Sequence, residues 1–101
     1  MKQTLVRYKI KPDHVQENAH LIKQVFQGLK DKSPDGARYV VLQLDDGTFV
    51  HFATVESTDG AHPITSLQAF RAFESGIKER CIELPQSGDA TIVGNYRMVG
   101  E

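Results

Sequence analysis

A chain of 101 residues, with 40% apolar and 25% charged residues, has the balance of one small globular domain, which excludes a disordered tail. Lys and Arg number 12 against 13 Asp and Glu, so no strong field draws in phosphate backbones or anionic lipid; small molecules or protein are the expected partners. A domain this small buries only about 60–70% of the surface its unfolded chain exposes, so a homodimer that hides more surface is expected.

The first predicted element is a strand over Thr4–Ile10, where Val6, Tyr8 and Ile10 share one face and Arg7 and Lys9 the other. No apolar leader run and no stretch long enough to cross a bilayer accompany it, so a cytoplasmic protein with no membrane partner is expected. Lys11 and Pro12 end the strand. Asp13 is the expected helix cap, with Gln16 as its reciprocal capping partner. Val15, Ala19, Ile22, Val25, Phe26 and Leu29 then recur at helical spacing opposite Glu17, Gln24, Gln27, Lys30 and Asp31, which predicts helix one over about Asp13–Asp31.

After the turn cluster Ser33-Pro34-Asp35-Gly36, Ala37–Leu44 reads as strand two. Asp45-Asp46-Gly47 suits a tight reversal, and Thr48–Val55 resumes the strand pattern, so these two strands are expected to pair as a hairpin. Ser57–Pro63, broken by Gly60 and Pro63, reads as a loop. Leu67, Phe70, Phe73, Ile77 and Cys81 mark the apolar stripe of helix two, with Thr65 or Ser66 as its N-cap. Cys81, the only cysteine, is expected to be a buried small thiol, and no internal disulfide can form. Pro85 and Gly88 are placed in a second loop, and Thr91–Val99 is the predicted last strand, with Gly94 as a bulge or close-approach point.

No repeat or interdomain linker interrupts this order, so residues 1–101 are read as one domain. Two helices with one apolar stripe each need a sheet face to cover. A ferredoxin-like α+β fold, βαββαβ, with a four-stranded antiparallel sheet and both helices on one face, satisfies them with right-handed crossovers. The hairpin is apolar on both sides: Val40, Leu42 and Leu44 alternate with Tyr39, Val41 and Gln43, and Val50 and Phe52 with Phe49, His51 and Val55. One face would therefore stay wet, and a homodimer joined through it is expected.

Leu5-Val6-Arg7-Tyr8-Lys9-Ile10-Lys11-Pro12 leading into an amphipathic helix resembles the opening of antibiotic biosynthesis monooxygenase-like domains. Thr54-Val55-Glu56-Ser57, followed after a loop by Leu67-Gln68-Ala69-Phe70-Arg71-Ala72-Phe73, is similar to the third-strand exit and second helix of that superfamily. The similarity covers nearly the whole chain through hydrophobic patterns, without a catalytic signature. It implies a dimeric α+β barrel with a small apolar pocket between sheet and helices, in which some members oxidise aromatic or quinol-like molecules with oxygen and no cofactor, and others degrade heme. The asparagine, tryptophan and histidine of the heme-degrading members fall at Val6, Ile64 and Glu74, and the chain has no tryptophan, so neither heme degradation nor the tryptophan-dependent polyketide site carries over.

The residues singled out for chemistry are His51 and Tyr8 as catalytic candidates, and His62, Phe70, Arg71, Phe73 and Tyr96 as substrate-binding candidates. A mid-strand imidazole at His51 can hydrogen-bond a phenol or act as a base near neutral pH, against the commoner satisfied strand histidine. Tyr8 and Tyr96 can present hydroxyls from terminal strands, His62 lies beside Pro63 at the mouth of helix two, and Arg71 can orient an anion. His14 and His20, six residues apart on helix one, do not share a face, and neither a calcium loop nor a phosphate loop is present, so no metal and no cofactor is expected.

Two functions compete on the same fold: a cofactor-independent monooxygenase-like enzyme acting on a small apolar or aromatic molecule, and a non-catalytic ligand-binding or stress-responsive dimer. RNA binding is a third, because Gly47-Thr48-Phe49-Val50-His51-Phe52 resembles the stacking motif of RNA-recognition domains. The neutral charge and the lack of a basic stripe weigh against any nucleic acid.

Overall fold

The computed structural model describes residues 2–56 and 62–98. The first part of the loop expected over Ser57–Pro63, and Val99 at the end of the expected last strand, lie outside these described residues. The elements run β1 (Lys2–Ile10), a 3₁₀ turn (Pro12–His14), α1 (Val15–Lys32), β2 (Ala37–Gln43), β3 (Thr48–Val55), α2 (Gln68–Ser75), α3 (Ile77–Arg80) and β4 (Cys81–Asp89). The four strands form one antiparallel sheet in the order β2-β3-β1-β4, with the helices on one face, as a ferredoxin-like α+β fold requires. Among the described residues no helix is long and apolar enough to cross a membrane.

The β2–β3 hairpin forms where expected. Gly47 takes φ +87°, and Asp46 Oδ1 accepts the Thr48 N–H at 2.9 Å, which sets the reversal. Hydrogen bonding from Thr48, through its side chain first and its backbone second, holds the Asp46 carboxyl below the usual carboxylate range. The core between sheet and helices gathers Tyr8 and Ile10 from β1, Ile22 and Val25 from α1, Phe49 from β3, Leu67 and Phe73 from the second helical region, and Cys81, which is buried as expected.

Helix starts differ from the sequence reading. Asp13 lies inside the 3₁₀ turn, so α1 begins at Val15 without a side-chain cap; the expected Asp13–Gln16 capping box does not form. Neither Thr65 nor Ser66 caps α2. His62 Nδ1 instead accepts the N–H groups of Ile64 and Thr65, both at 3.1 Å, one turn earlier. The expected single helix is divided at Gly76 into α2 and α3, and Cys81 opens a strand.

The last strand is a correction. Cys81–Asp89 pairs with β1, while Thr91–Met98 follows without strand structure. Arg7 pairs with Gln86 and Lys9 with Glu83, so three steps along β4 match two along β1, and Pro85 falls in this bulge of an edge strand. A proline and a glycine are tolerated there because one side of β4 has no ladder to complete. Gly94, expected at a bulge, has no close neighbour and lies in the irregular segment.

The two sheet faces differ in cover. Register places Val40, Phe52 and Leu5 in one row across β2, β3 and β1, and Leu42, Val50 and Arg7 in another, on the face away from the helices. Leu42 keeps 57% of its surface exposed, and Val40 and Leu5 are also exposed.

Candidate functional site

Strand register explains how the central residues meet. On the central strand β3, His51 sits directly opposite Val6 of β1 and Val41 of β2, so its diagonal neighbours on the same face are Tyr8 and Tyr39. Both phenols reach it: Tyr8 Oη lies 2.7 Å from His51 Nε2, and Tyr39 Oη lies 2.6 Å from His51 Nδ1. The rings around this trio are close-packed. Tyr8 stacks on Phe49 at 5.7 Å, Phe26 of α1 on Tyr39 at 5.0 Å, and Phe73 of α2 tilts over the imidazole at 5.5 Å.

Two further polar side chains stand behind Tyr8. Asn18 lies in phase with Val15, Ile22 and Val25 on α1, so the helix turns it inward, where it is fully buried. Its Nδ2 donates to Tyr8 Oη at 3.1 Å. Arg80, the last residue of α3, donates from Nε to Asn18 Oδ1 at 3.0 Å and from Nη2 to the Phe73 carbonyl at 2.7 Å, with its guanidinium 5.5 Å from the Phe73 ring centre. The result is a continuous chain of hydrogen bonds from Arg80 through Asn18, Tyr8 and His51 to Tyr39.

Burial sets the protonation of these groups. It pushes the His51 imidazole down to about 4, so the ring is neutral at physiological pH. Burial also raises the Tyr8 and Tyr39 phenols well above their ordinary values, Tyr8 against the opposing pull of its Asn18 bond and of Arg80.

A cavity of about 350 Å³ opens between the sheet and the second helical region. Val6, Tyr8, Tyr39, His51 and Ala53 form its floor from the sheet, and Ile64, Phe70, Phe73 and Ile77 its opposite wall. Lys2, His62 and Glu74, all exposed, bring polar groups to the lining. The volume suits a small molecule of one or a few rings, and the mostly apolar wall with a few convergent polar atoms is the ordinary form of a ligand site.

Of the residues singled out from sequence, Tyr8, His51, His62, Phe70 and Phe73 come together on this cavity. Arg71 is exposed on α2 and Tyr96 is 78% exposed beside Arg97; neither belongs to the lining. Tyr96 was expected on a terminal strand, and the shift of β4 to Cys81–Asp89 removes that placement. The three positions equated with heme-degrading residues, Val6, Ile64 and Glu74, all line the cavity, as two apolar side chains and one carboxylate. Of the two phenylalanines in the segment that resembles the RNA-recognition motif, Phe49 is 1% exposed in the core and offers no face to a base, while Phe52 lies half-buried on the open sheet face.

Sequence reasoning missed Tyr39, Asn18 and Arg80 as site residues. A signal existed for two of them. Asn18 and Arg80 are polar residues in phase with an apolar helical stripe, which is the position where a buried polar side chain must find a partner.

No family model matches the sequence, and no curated protein matches it significantly. Solved structures do match. A proposed antibiotic biosynthesis monooxygenase from Nitrosomonas europaea superposes with a TM-score of 0.72 at 15% identity, over 93% of this chain and 100% of that one. A protein of the same name from Bacteroides thetaiotaomicron gives a TM-score of 0.75 at 14% identity, over 91% of this chain and 89% of that one. The protein Rv0793 from Mycobacterium tuberculosis gives 0.69 at 15% identity, over 92% and 95%. At these identities the likeness speaks for the fold alone: the chain shares the ferredoxin-like fold of proteins named as antibiotic biosynthesis monooxygenases, the resemblance its own hydrophobic pattern carries.

Proposed function

We propose that the cavity holds a small aromatic molecule and that the chain is a cofactor-independent, monooxygenase-like enzyme working as a homodimer joined through its open sheet face. The observation that carries this reading is the Tyr39–His51–Tyr8 set in the wall of an otherwise apolar cavity. An apolar enclosure strips water from a bound aromatic ring, while the tyrosine hydroxyls hold its oxygen atom and the imidazole between them relays a proton. In the reaction class proposed, the electron-rich anion of the substrate gives one electron to O₂. The two radicals combine at carbon, and the hydroperoxide loses water, so that CH₂ plus O₂ becomes C=O plus H₂O. The substrate supplies all the electrons, and the protein binds, orients and excludes water.

Oxygen uptake with a panel of hydroquinones and anthrones tests this. Turnover is expected with at least one of them, and Tyr39→Phe and His51→Ala are each expected to lower it by about 10²-fold or more. Inactivity of the wild-type protein across the panel overturns the enzyme reading. A non-catalytic ligand-binding dimer is the second reading. It draws support from the fact that both ring nitrogens of His51 are already engaged by tyrosines, as in a satisfied structural histidine. Tight binding of a panel member without oxygen uptake would select it.

A further inference from the structure

In the proposed reaction the substrate meets oxygen as an anion, so a proton must first leave its carbon for a base. A base needs a lone pair that is not already engaged. The neutral imidazole of His51 has one, and with a tyrosine hydroxyl 2.7 Å from Nε2 and another 2.6 Å from Nδ1 that pair is used in either tautomer. A further proton would make the ring an imidazolium, which burial opposes. Burial likewise keeps the Tyr8 and Tyr39 phenols protonated. The trio can move a proton among its members but cannot take in another.

The other ionisable groups on the lining are Lys2, His62 and Glu74. An ammonium at Lys2 offers donors only. His62 Nδ1 already accepts the Ile64 and Thr65 N–H groups, so the lone pair of its neutral ring is spent and Nε2 holds the proton. Glu74 differs. An ionised carboxylate only accepts, and among the described residues no hydrogen bond or ion pair engages this one. Its placement is equally specific. Phe70, Phe73, Glu74 and Ile77 recur at helical spacing and all four line the cavity, so the carboxylate interrupts the stripe that faces the ligand space. Arg71, Ser75 and Lys78 take the exposed side of the same segment, where a glutamate serving solubility alone would belong.

Resting on the reading of the chain as a cofactor-independent oxygenase, we infer that Glu74 is a further catalytic residue, the general base that takes the proton from the substrate carbon and later returns it. The Glu74 carboxylate accepts one proton of the CH₂ group, and the electron pair of that bond stays on carbon. One electron then passes to O₂ and the two radicals join, which leaves a peroxide anion on carbon. The peroxide takes the proton back from the Glu74 carboxyl. Loss of its OH together with the remaining hydrogen on that carbon gives C=O and water. Glu74 ends as the carboxylate it began as, and nothing beyond substrate and O₂ is consumed.

The test follows the methylene hydrogens of anthrone in D₂O without oxygen, where proton removal is read as deuterium uptake and no oxygenation occurs, beside oxygen uptake in air. The wild-type protein is expected to exchange these hydrogens faster than buffer does. Glu74→Gln, which keeps the shape and removes the base, is expected to slow both exchange and oxygen uptake by about 10²-fold. Because Glu74 is exposed, anthrone affinity by calorimetry and the thermal midpoint should stay at their wild-type values. Wild-type exchange that Glu74→Gln leaves unchanged overturns the inference and leaves the oxygenase reading standing. Oxygen uptake by the wild type without methylene exchange overturns it as well, since a proton on an exposed carboxyl is shared with solvent. A wild-type protein that neither exchanges the methylene nor takes up oxygen with any member of the hydroquinone and anthrone panel overturns both.

Discussion

The two faces of the one sheet invert the usual arrangement. Its helix-covered face buries a phenol, an imidazole, an amide and a guanidinium around Tyr8, while its open face leaves Leu5, Val40 and Leu42 in contact with water. Strand alternation alone puts Tyr8, Tyr39 and His51 on one face of the sheet and Leu5, Val40 and Leu42 on the other, while α1 and α3 bring Asn18 and Arg80 to the first. Buried polar groups cost stability and persist where they are satisfied and useful; an apolar patch in the open costs solubility and persists where something covers it. The contrast separates the face that carries the proposed site from the face through which the proposed dimer would form.

Four substitutions or conditions would break or sharpen that contrast. The largest effect is expected from Phe73→Ala, which empties the space over His51 and beneath Arg80 and should cost about 3–5 kcal/mol in urea unfolding. A loss under about 1 kcal/mol would mean that the helix-covered face is not packed around this ring.

Next comes pH. Burial holds His51 at about 4 in the folded chain against 6.5 as its ordinary value, so between those limits the unfolded chain takes up a proton that the folded chain refuses. Stability is therefore fully present above pH 6.5 and falls as the pH drops toward 4, by up to about 3 kcal/mol. His51→Gln should flatten that slope in denaturant titrations across the same range; an unchanged slope would assign the acid sensitivity to other groups.

Tyr8→Phe keeps the ring and removes the oxygen that joins Asn18 Nδ2 to His51 Nε2, stranding two buried groups for about 1–3 kcal/mol. The thermal midpoint would show it. The smallest effect on the folded subunit belongs to the open face. Leu42→Lys should move subunit stability by no more than about 0.5 kcal/mol, yet shift a dimer to monomer in light scattering. A wild-type protein that already scatters as a monomer at micromolar concentration would remove the dimer from the proposed function.

The elements most legible in the sequence were those whose signal is local. Alternation in Thr4–Ile10, the Asp45-Asp46-Gly47 reversal and the stripe from Val15 to Leu29 each report a preference written within a few residues, and all three elements form. Tyr8, His51, Phe70 and Phe73 could be picked as site candidates because an apolar strand or helix carrying an aromatic or imidazole group points to a pocket wall. The last strand was not legible. Cys81–Asp89 contains Pro85 and Gly88 and is almost wholly exposed, so its composition reads as loop, whereas the β-branched Thr91–Val93 reads as strand but takes no strand structure.

The sequence by itself determined the periodicities: which side chains of each strand share a face, where helices turn their apolar stripes, and that Asn18 and Arg80 interrupt those stripes with polarity. Only the tertiary structure decided which of these groups touch. Tyr8 and His51 are 43 positions apart and Asn18 and Arg80 are 62 apart, and they meet because antiparallel register and helix docking bring distant segments together. Local spacing encodes direction, whereas a hydrogen bond between separate elements depends on the packing of the whole core, to which every element contributes.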